Sequence, residues 1–243
     1  MLLSRRFSCG NGGFCTRQVM LLLRTLNYST DVFDPSVVFG TENREKCVSL
    51  LRQFKAPIKR TKHARDAAVL VPLCVVNGEA SILYTVRSQT LTSHRGQVSF
   101  PGGMFDESDI DLSHTAVREA EEELGLPPTT VDIWTVCNSF NARNNVIVAP
   151  VVANIGEVVL EELVINPKEV SSVFVLSLRH LCNPAFFRYT QFRNNFIMPA
   201  FVGNEHRVWG LTASITHFVM RCLLSKVYDN HLKLIKPVSR SVS

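Results

Sequence analysis

Hydrophobic positions along this chain follow two rhythms. In residues 68–76 and 80–87 apolar side chains alternate with smaller ones or run on without interruption, the pattern of strands buried on one or both faces. Asn77-Gly78 between them suits a tight two-residue hairpin turn, in which both central positions need positive φ. Residues 97–100 form a short β-like run that stops at Pro101. Longer runs follow at 131–140, at 146–155, and at 169–177 after Asn166-Pro167. A second hairpin is expected from 186–192 and 196–201, around Arg193-Asn194-Asn195. The helical rhythm holds in 42–54, where Val48, Leu51 and Phe54 make the apolar stripe, and again in 112–124, in the short 178–182 and in the mostly apolar 211–224. The helix over 112–124 ends at Gly125, a residue suited to the left-handed position that closes a helix, and Pro127 stops it from continuing. Strands interleaved with a few helices predict an α/β fold, a mixed sheet covered by helices on both faces.

Length changes the picture little. The 243 residues suit one globular domain of roughly 150–200 residues with extensions. The expected divisions are a leader over 1–30, a linker with a short amphipathic helix over 31–64, the main domain over 65–228 and a tail over 229–243. No apolar run approaches the ~18–20 residues of a membrane span. Cys9, Cys15, Cys47, Cys74, Cys137, Cys182 and Cys222 form no C-x-x-C pair, so they read as free thiols of a reducing compartment.

Charge is more informative. The net charge is +5, but Arg5, Arg6, Arg17 and Arg24 all lie in the first thirty residues, where there is no acid. The remainder is nearly neutral and lacks the basic face that binding a phosphate backbone needs, so nucleic acid is not expected as a partner. An arginine-, serine- and leucine-rich leader without acids has the character of a mitochondrial transit peptide, and the matrix is the expected destination. The C-terminal Ser-Val-Ser is not the peroxisomal Ser-Lys-Leu address.

The chemistry concentrates around the helix over 112–124. Glu119, Glu121, Glu122 and Glu123 crowd its last turns, where like charges three or four apart repel by a few tenths of a kcal/mol per pair. On a helical projection Ala116, Val117, Ala120 and Leu124 form an apolar arc, and Glu119, Glu122 and Glu123 fall on the arc beside it. Arg118 and Glu122, four apart, can pair. Gly102-Gly103 at the end of a strand permits close backbone approach. Asp106, Glu107, Asp109 and Asp111 lie in the loop between. Carboxylates converging from helix and loop suit a hard cation, Mg²⁺ or Mn²⁺, which would turn repulsion into coordination. For a generic run of glutamates a solvated helix face is the commoner reading; the paired glycines tip the balance.

Arg118-Glu119-Ala120-Glu121-Glu122-Glu123-Leu124-Gly125-Leu126 is similar to the second half of the Nudix box. In the first half, Gly103 to Arg118 is one residue longer than the usual spacing, and Asp109 stands where the first glutamate would be, which weakens any role assigned to Asp109 and leaves the helical ligands untouched. That departure, the stretch "LYTVRSQTLTSHRGQVSFPGG" (83–103), and the later "NPKEVSSVFVLSL" and "HRVWGLTASIT" resemble the coenzyme A pyrophosphatase branch of the Nudix hydrolases, over about residues 65–225. The resemblance implies a Nudix α/β/α sandwich with a mixed β-sheet and a loop-helix-loop catalytic motif. It implies a cation held by Glu119, Glu122, Glu123 and a backbone group of Gly103, with Arg118 orienting the glutamates. It implies hydrolysis of CoA and acyl-CoA to 3′,5′-ADP and (acyl-)4′-phosphopantetheine.

The general base is a box glutamate or a later carboxylate, of which Glu169 is a candidate. Arg87, His94, Gln97, Gly102 and Gly103 are candidate substrate contacts, although a structural hydrogen bond is as good a reading of His94. Lys59, Arg60, Lys62 and Arg65 read better as a solvated basic linker, and Trp209 and Phe218 as core. Another nucleoside diphosphate derivative, such as an oxidised dNTP, an NAD-like compound or a nucleotide sugar, is an alternative substrate. A non-catalytic nucleotide-binding Nudix module is a second alternative. Monomer and homodimer are both compatible with the sequence.

Overall fold

The computed structural model describes residues 31–54, 60–192 and 197–232. The leader (1–30), with Cys9 and Cys15, lies outside the described residues, as do Lys59, the turn Arg193-Asn194-Asn195 and the tail from residue 233. The elements run α1 (Pro35–Val38), α2 (Thr41–Gln53), β1 (Arg65–Val76), β2 (Glu79–Arg87), β3 (Val98–Ser99), β4 (Gly102–Met104), α3 (Leu112–Leu124), β5 (Asp132–Val136), β6 (Phe140–Asn141), β7 (Val146–Glu157), β8 (Val170–Ser177), α4 (Leu178–Cys182), β9 (Phe187–Gln191), β10 (Ile197–Phe201), β11 (Val208–Trp209) and α5 (Gly210–Leu223).

The sheet is mixed, as the interleaved pattern implies. β1 and β2 form the expected hairpin, with φ of 51° at Asn77 and 77° at Gly78. β7 runs parallel to β1, β5 antiparallel to β7, and β8 antiparallel to β2. Beyond the hairpin end, β1 and β2 part. β3 pairs with β2 and β4 with β1 in the space between them. That wedge delivers Gly102 and Gly103 to the middle of the sheet.

The run 131–140 is divided in two. Pro150 on β7 has no N–H for its neighbour, so β5 ends at Val136 and the ladder resumes at Phe140, opposite Val148. Only the Pro150 carbonyl bridges the gap, accepting from the Cys137 N–H at 2.8 Å. β9 and β10 pair as the second hairpin, and β11 joins them in a separate three-stranded sheet.

Two cores cover the two faces. On one, Ala116, Ala120 and Leu124 of α3 sit on Ala68, Leu70, Leu83 and Val151. The two alanines let the helix lie close to the strands. On the other, α2 and α5 cover Val71, Leu73, Ile82, Tyr84 and Val152. Fully burying a side chain such as Leu51 or Leu124 contributes about 1.5–3 kcal/mol.

Residues 35–53, helices α1 and α2, pack on the domain. Val38, Cys47 and Leu51 are buried in this second core, and Arg44 makes a two-pronged ion pair with Asp132 of β5, at 2.8 and 3.0 Å. Of the expected stripe of α2, Leu51 is fully buried and Val48 packs against the core, with Cys47 buried beside them. Phe54, although partly exposed, stacks against Phe140 and Phe218. Arg60 is engaged by Asp66 at 2.7 Å. Phe218 is core, as expected; Trp209 is not, with 45% of its surface exposed where β11 meets α5. Cys47, Cys74, Cys137, Cys182 and Cys222 are free thiols. Burial pushes the Cys47 thiol well above its usual range and that of Cys74 up to about 12, which makes them inert.

Candidate active site

Helix α3 is fixed at both ends before it carries any chemistry. Asp111 caps it, its carboxylate accepting from the His114 N–H at 2.8 Å. Gly125 closes it in the left-handed conformation, φ 64°, its N–H donating to the Glu121 carbonyl. With its apolar arc pinned to the sheet, the acidic arc faces the β3–β4 wedge.

Glycine is required there twice. Gly102 has φ 154°, and a β-carbon on it would lie 2.3 Å from the Ala68 carbonyl oxygen. A β-carbon on Gly103 would lie 2.3 Å from Glu119 Oε1. The Glu119 carboxylate thus occupies the space that a side chain would take. Gly103→Ala is expected to keep the fold, displace Glu119 and cut turnover about 100-fold or more, as small misplacements at a reacting centre do. Steady-state kinetics beside a circular dichroism spectrum would check this.

Arg118 organises the acidic arc from behind. Its Nε and Nη2 grip Asp109 at 2.9 and 3.1 Å, its Nη1 donates to Glu119 Oε1 at 3.0 Å and Glu122 Oε1 at 3.2 Å, and its Nη2 reaches the Met104 carbonyl at 3.3 Å. Asp109, whose side chain is fully buried, also accepts from His114 Nδ1, Thr115 Oγ1 and the Asp106 N–H. The Arg118 guanidinium, first among these, holds the Asp109 carboxyl well below the usual carboxylate range. Asp109 is therefore the anchor of the arginine that aims the glutamates, a role that motif spacing could not transfer to it.

Glu119, Glu123 and Glu169 bring one carboxylate oxygen each to within 4.8 Å of one another. Glu123 is almost wholly buried, 2% exposed. Burial pushes its carboxyl up to about 8; Glu119 and Glu169 push in the same direction, while Arg87 and a hydrogen bond from the Gly102 N–H oppose them. Burial likewise raises Glu119, against the pull of Arg118. Glu122 lies outside this group of three, half exposed at its rim and tethered by Arg118.

Arg87, at the end of β2, faces Glu123, and its Nε is buried with no hydrogen-bond partner among the described residues. His94 Nδ1 and Gln97 Oε1 meet each other at 3.0 Å in the loop after β2, the structural bond that was one reading of His94. The structure thus brings together Arg118, Glu119, Glu122, Glu123, Glu169, Arg87, Gly102 and Gly103, and pairs His94 with Gln97.

A family model described as the NUDIX domain matches residues 64–198. The chain belongs to the Nudix family. Among its relatives, the mitochondrial coenzyme A diphosphatase NUDT8 of Mus musculus is 41% identical over 198 residues, covering 79% of this chain and 93% of that one. The NUDT8 of Homo sapiens is 40% identical, covering 79% and 83%. The peroxisomal coenzyme A diphosphatase NUDT7 of Mus musculus is 32% identical over 168 residues, 65% of this chain and 70% of that one. The matched span contains α3 and Gly102-Gly103, and the mixed sheet flanked by helices is the fold of this family. No helix among the described residues is long and apolar enough to cross a membrane.

Proposed function

We propose that this Nudix hydrolase cleaves the pyrophosphate bond of coenzyme A and acyl-CoA, giving 3′,5′-ADP and (acyl-)4′-phosphopantetheine. The observation that carries the chemistry is the convergence of Glu119, Glu123 and Glu169 beside Gly103. The substrate comes from relatives named coenzyme A diphosphatases, two of them matching over more than four-fifths of their own length.

The donor set fits Mg²⁺ or Mn²⁺. All three groups are carboxylates, no cysteine or histidine among the described residues joins them, and their mutual repulsion is what a hard cation relieves. Such an ion supplies charge neutralisation, polarised P–O bonds and an acidified water. The chain's own residues do the rest. Arg118 fixes the reach of Glu119 and Glu122. Arg87, facing Glu123, adds a positive charge beside the cluster, where an anionic pyrophosphate would lie. The attacking water forms a new O–P bond as the bridging P–O bond breaks and the other phosphate departs. Glu122, half exposed outside the group of three, is the carboxylate we assign to take that water's proton. His94 and Gln97, joined to each other in the β2–β3 loop, are the substrate contacts we assign to the nucleotide.

Purified protein given CoA with Mg²⁺ or Mn²⁺ should release 3′,5′-ADP and 4′-phosphopantetheine, identified by mass spectrometry, and a chelator should stop it. CoA left intact while an oxidised dNTP or nucleotide sugar is consumed would overturn the substrate assignment. We place the protein in the mitochondrial matrix, in support of which stand the acid-free, arginine-bearing leader and the mitochondrial names of two relatives.

A further inference from the structure

Glu169 reaches the cluster from a loop, whereas its two neighbours there stand on a helix. A loop carboxylate facing two others is repelled from both, so something must hold it. One residue stands between the two elements. The Asn166 N–H donates to the Glu123 carbonyl at 2.9 Å, which ties the loop to the last turn of α3. Its side-chain Nδ2 donates to Glu169 Oε1 at 3.1 Å. Its side-chain oxygen accepts from the Lys168 N–H at 3.2 Å, and its carbonyl accepts from the N–H groups of Glu169 and Val170 at 3.0 and 2.9 Å. Every polar group of Asn166 is thus used in joining α3 to the Glu169 turn. From the other side, Ser88 braces the same turn: its N–H donates to the Glu169 carbonyl at 2.8 Å and its hydroxyl to the Pro167 carbonyl at 3.0 Å.

We propose that Asn166 is a positioning residue: its amide holds the Glu169 carboxylate against the end of α3, so that Glu169 completes the cation cradle begun by Glu119 and Glu123. It touches no reacting atom. Its side chain is the outer partner of a ligating group, of the kind whose loss typically weakens metal affinity 10–100-fold. The inference rests on the reading of the cradle given above.

Asn166→Asp isolates the amide. Aspartate keeps the size and the acceptor for the Lys168 N–H but cannot donate to Glu169 and repels it. Asn166→Ser is the second variant; its hydroxyl can still accept locally but is too short to reach Glu169. Mn²⁺ affinity of the full chain, read from the electron paramagnetic resonance signal of free Mn²⁺, should fall about 10–100-fold in each variant that folds. In a Glu169→Gln background the same changes at Asn166 should cost less than threefold, because two residues acting through one contact are not additive. A melting temperature close to that of the parent would separate the effect from general damage. Mn²⁺ affinity within threefold of the parent in Asn166→Asp or Asn166→Ser would overturn the inference, as would an equal loss with and without Glu169. If the parent protein binds Mn²⁺ tightly but leaves CoA intact, the substrate reading fails and this one stands.

Discussion

Glu123→Gln should abolish turnover and yet raise the melting temperature of the metal-free protein. The carboxyl is 2% exposed and burial, aided by Glu119 and Glu169, lifts it from 4.5 to about 8. A carboxyl raised on folding binds its proton more tightly in the folded than in the unfolded chain. It therefore costs no stability below its unfolded value and a growing amount as pH rises from about 4.5 towards 8. At pH 7 the cost is on the order of 3 kcal/mol. Glutamine carries no charge, has the same shape and can still accept from the Gly102 N–H. For a domain of this size, recovering part of that cost should raise the melting temperature by roughly 3–8 °C. The same residue supplies a cation ligand, so kcat/KM should fall about 1,000-fold or more. The linkage has a second consequence. Mn²⁺ should raise the melting temperature of the parent more at pH 8 than at pH 6, since protons compete for the same oxygens, and the variant should lose most of that difference. Differential scanning fluorimetry at the two pH values reads both.

Asp109→Ala should have the largest effect on stability. The fully buried carboxylate receives donors from Arg118, His114, Thr115 and the Asp106 backbone. Removing one partner of a buried ion pair costs about 3–5 kcal/mol, because the other charge is left without its counter-ion. That corresponds to a fall of roughly 10 °C or more. Activity should fall too, since Arg118 would lose the anchor from which it aims Glu119 and Glu122. Asp109→Asn, which keeps the shape and one acceptor, should recover part of the stability and less of the activity. A thermal melt beside a CoA assay would check both. Equal activity in Asp109→Ala and the parent would show that Arg118 does not depend on it.

The two variants bear on what a sequence can reveal. Helix α3 was legible because its signals are local: an apolar arc and a glycine stop followed by proline. The β1–β2 hairpin was legible for the same reason, in Asn77-Gly78. What escaped was set by partners distant in the chain. The break between β5 and β6 depends on Pro150, on a neighbouring strand that no window around 131–140 contains. The placement of α1 and α2 in the core depends on α5, and the charge of Arg44 is answered by Asp132. Within the site, the helical glutamates follow from their spacing, while Glu169 was only a carboxylate within reach of the sheet edge. Asp109 was discounted because it departs from the family spacing, although the buried bonds to Arg118 make it central. Asn166 had one local cue, the Asn-Pro turn three residues before Glu169, but its bond to the Glu123 carbonyl cannot be read from that.

All of this depends on one arrangement, a divalent cation held between the end of α3 and the Glu169 turn. A crystal structure of the protein grown with Mn²⁺ and recorded at the manganese absorption edge tests it most directly. The account predicts an anomalous peak about 2.1 Å from carboxylate oxygens of Glu119, Glu123 and Glu169. Those three side chains turned apart, with no peak among them even with a nucleotide bound, would contradict it.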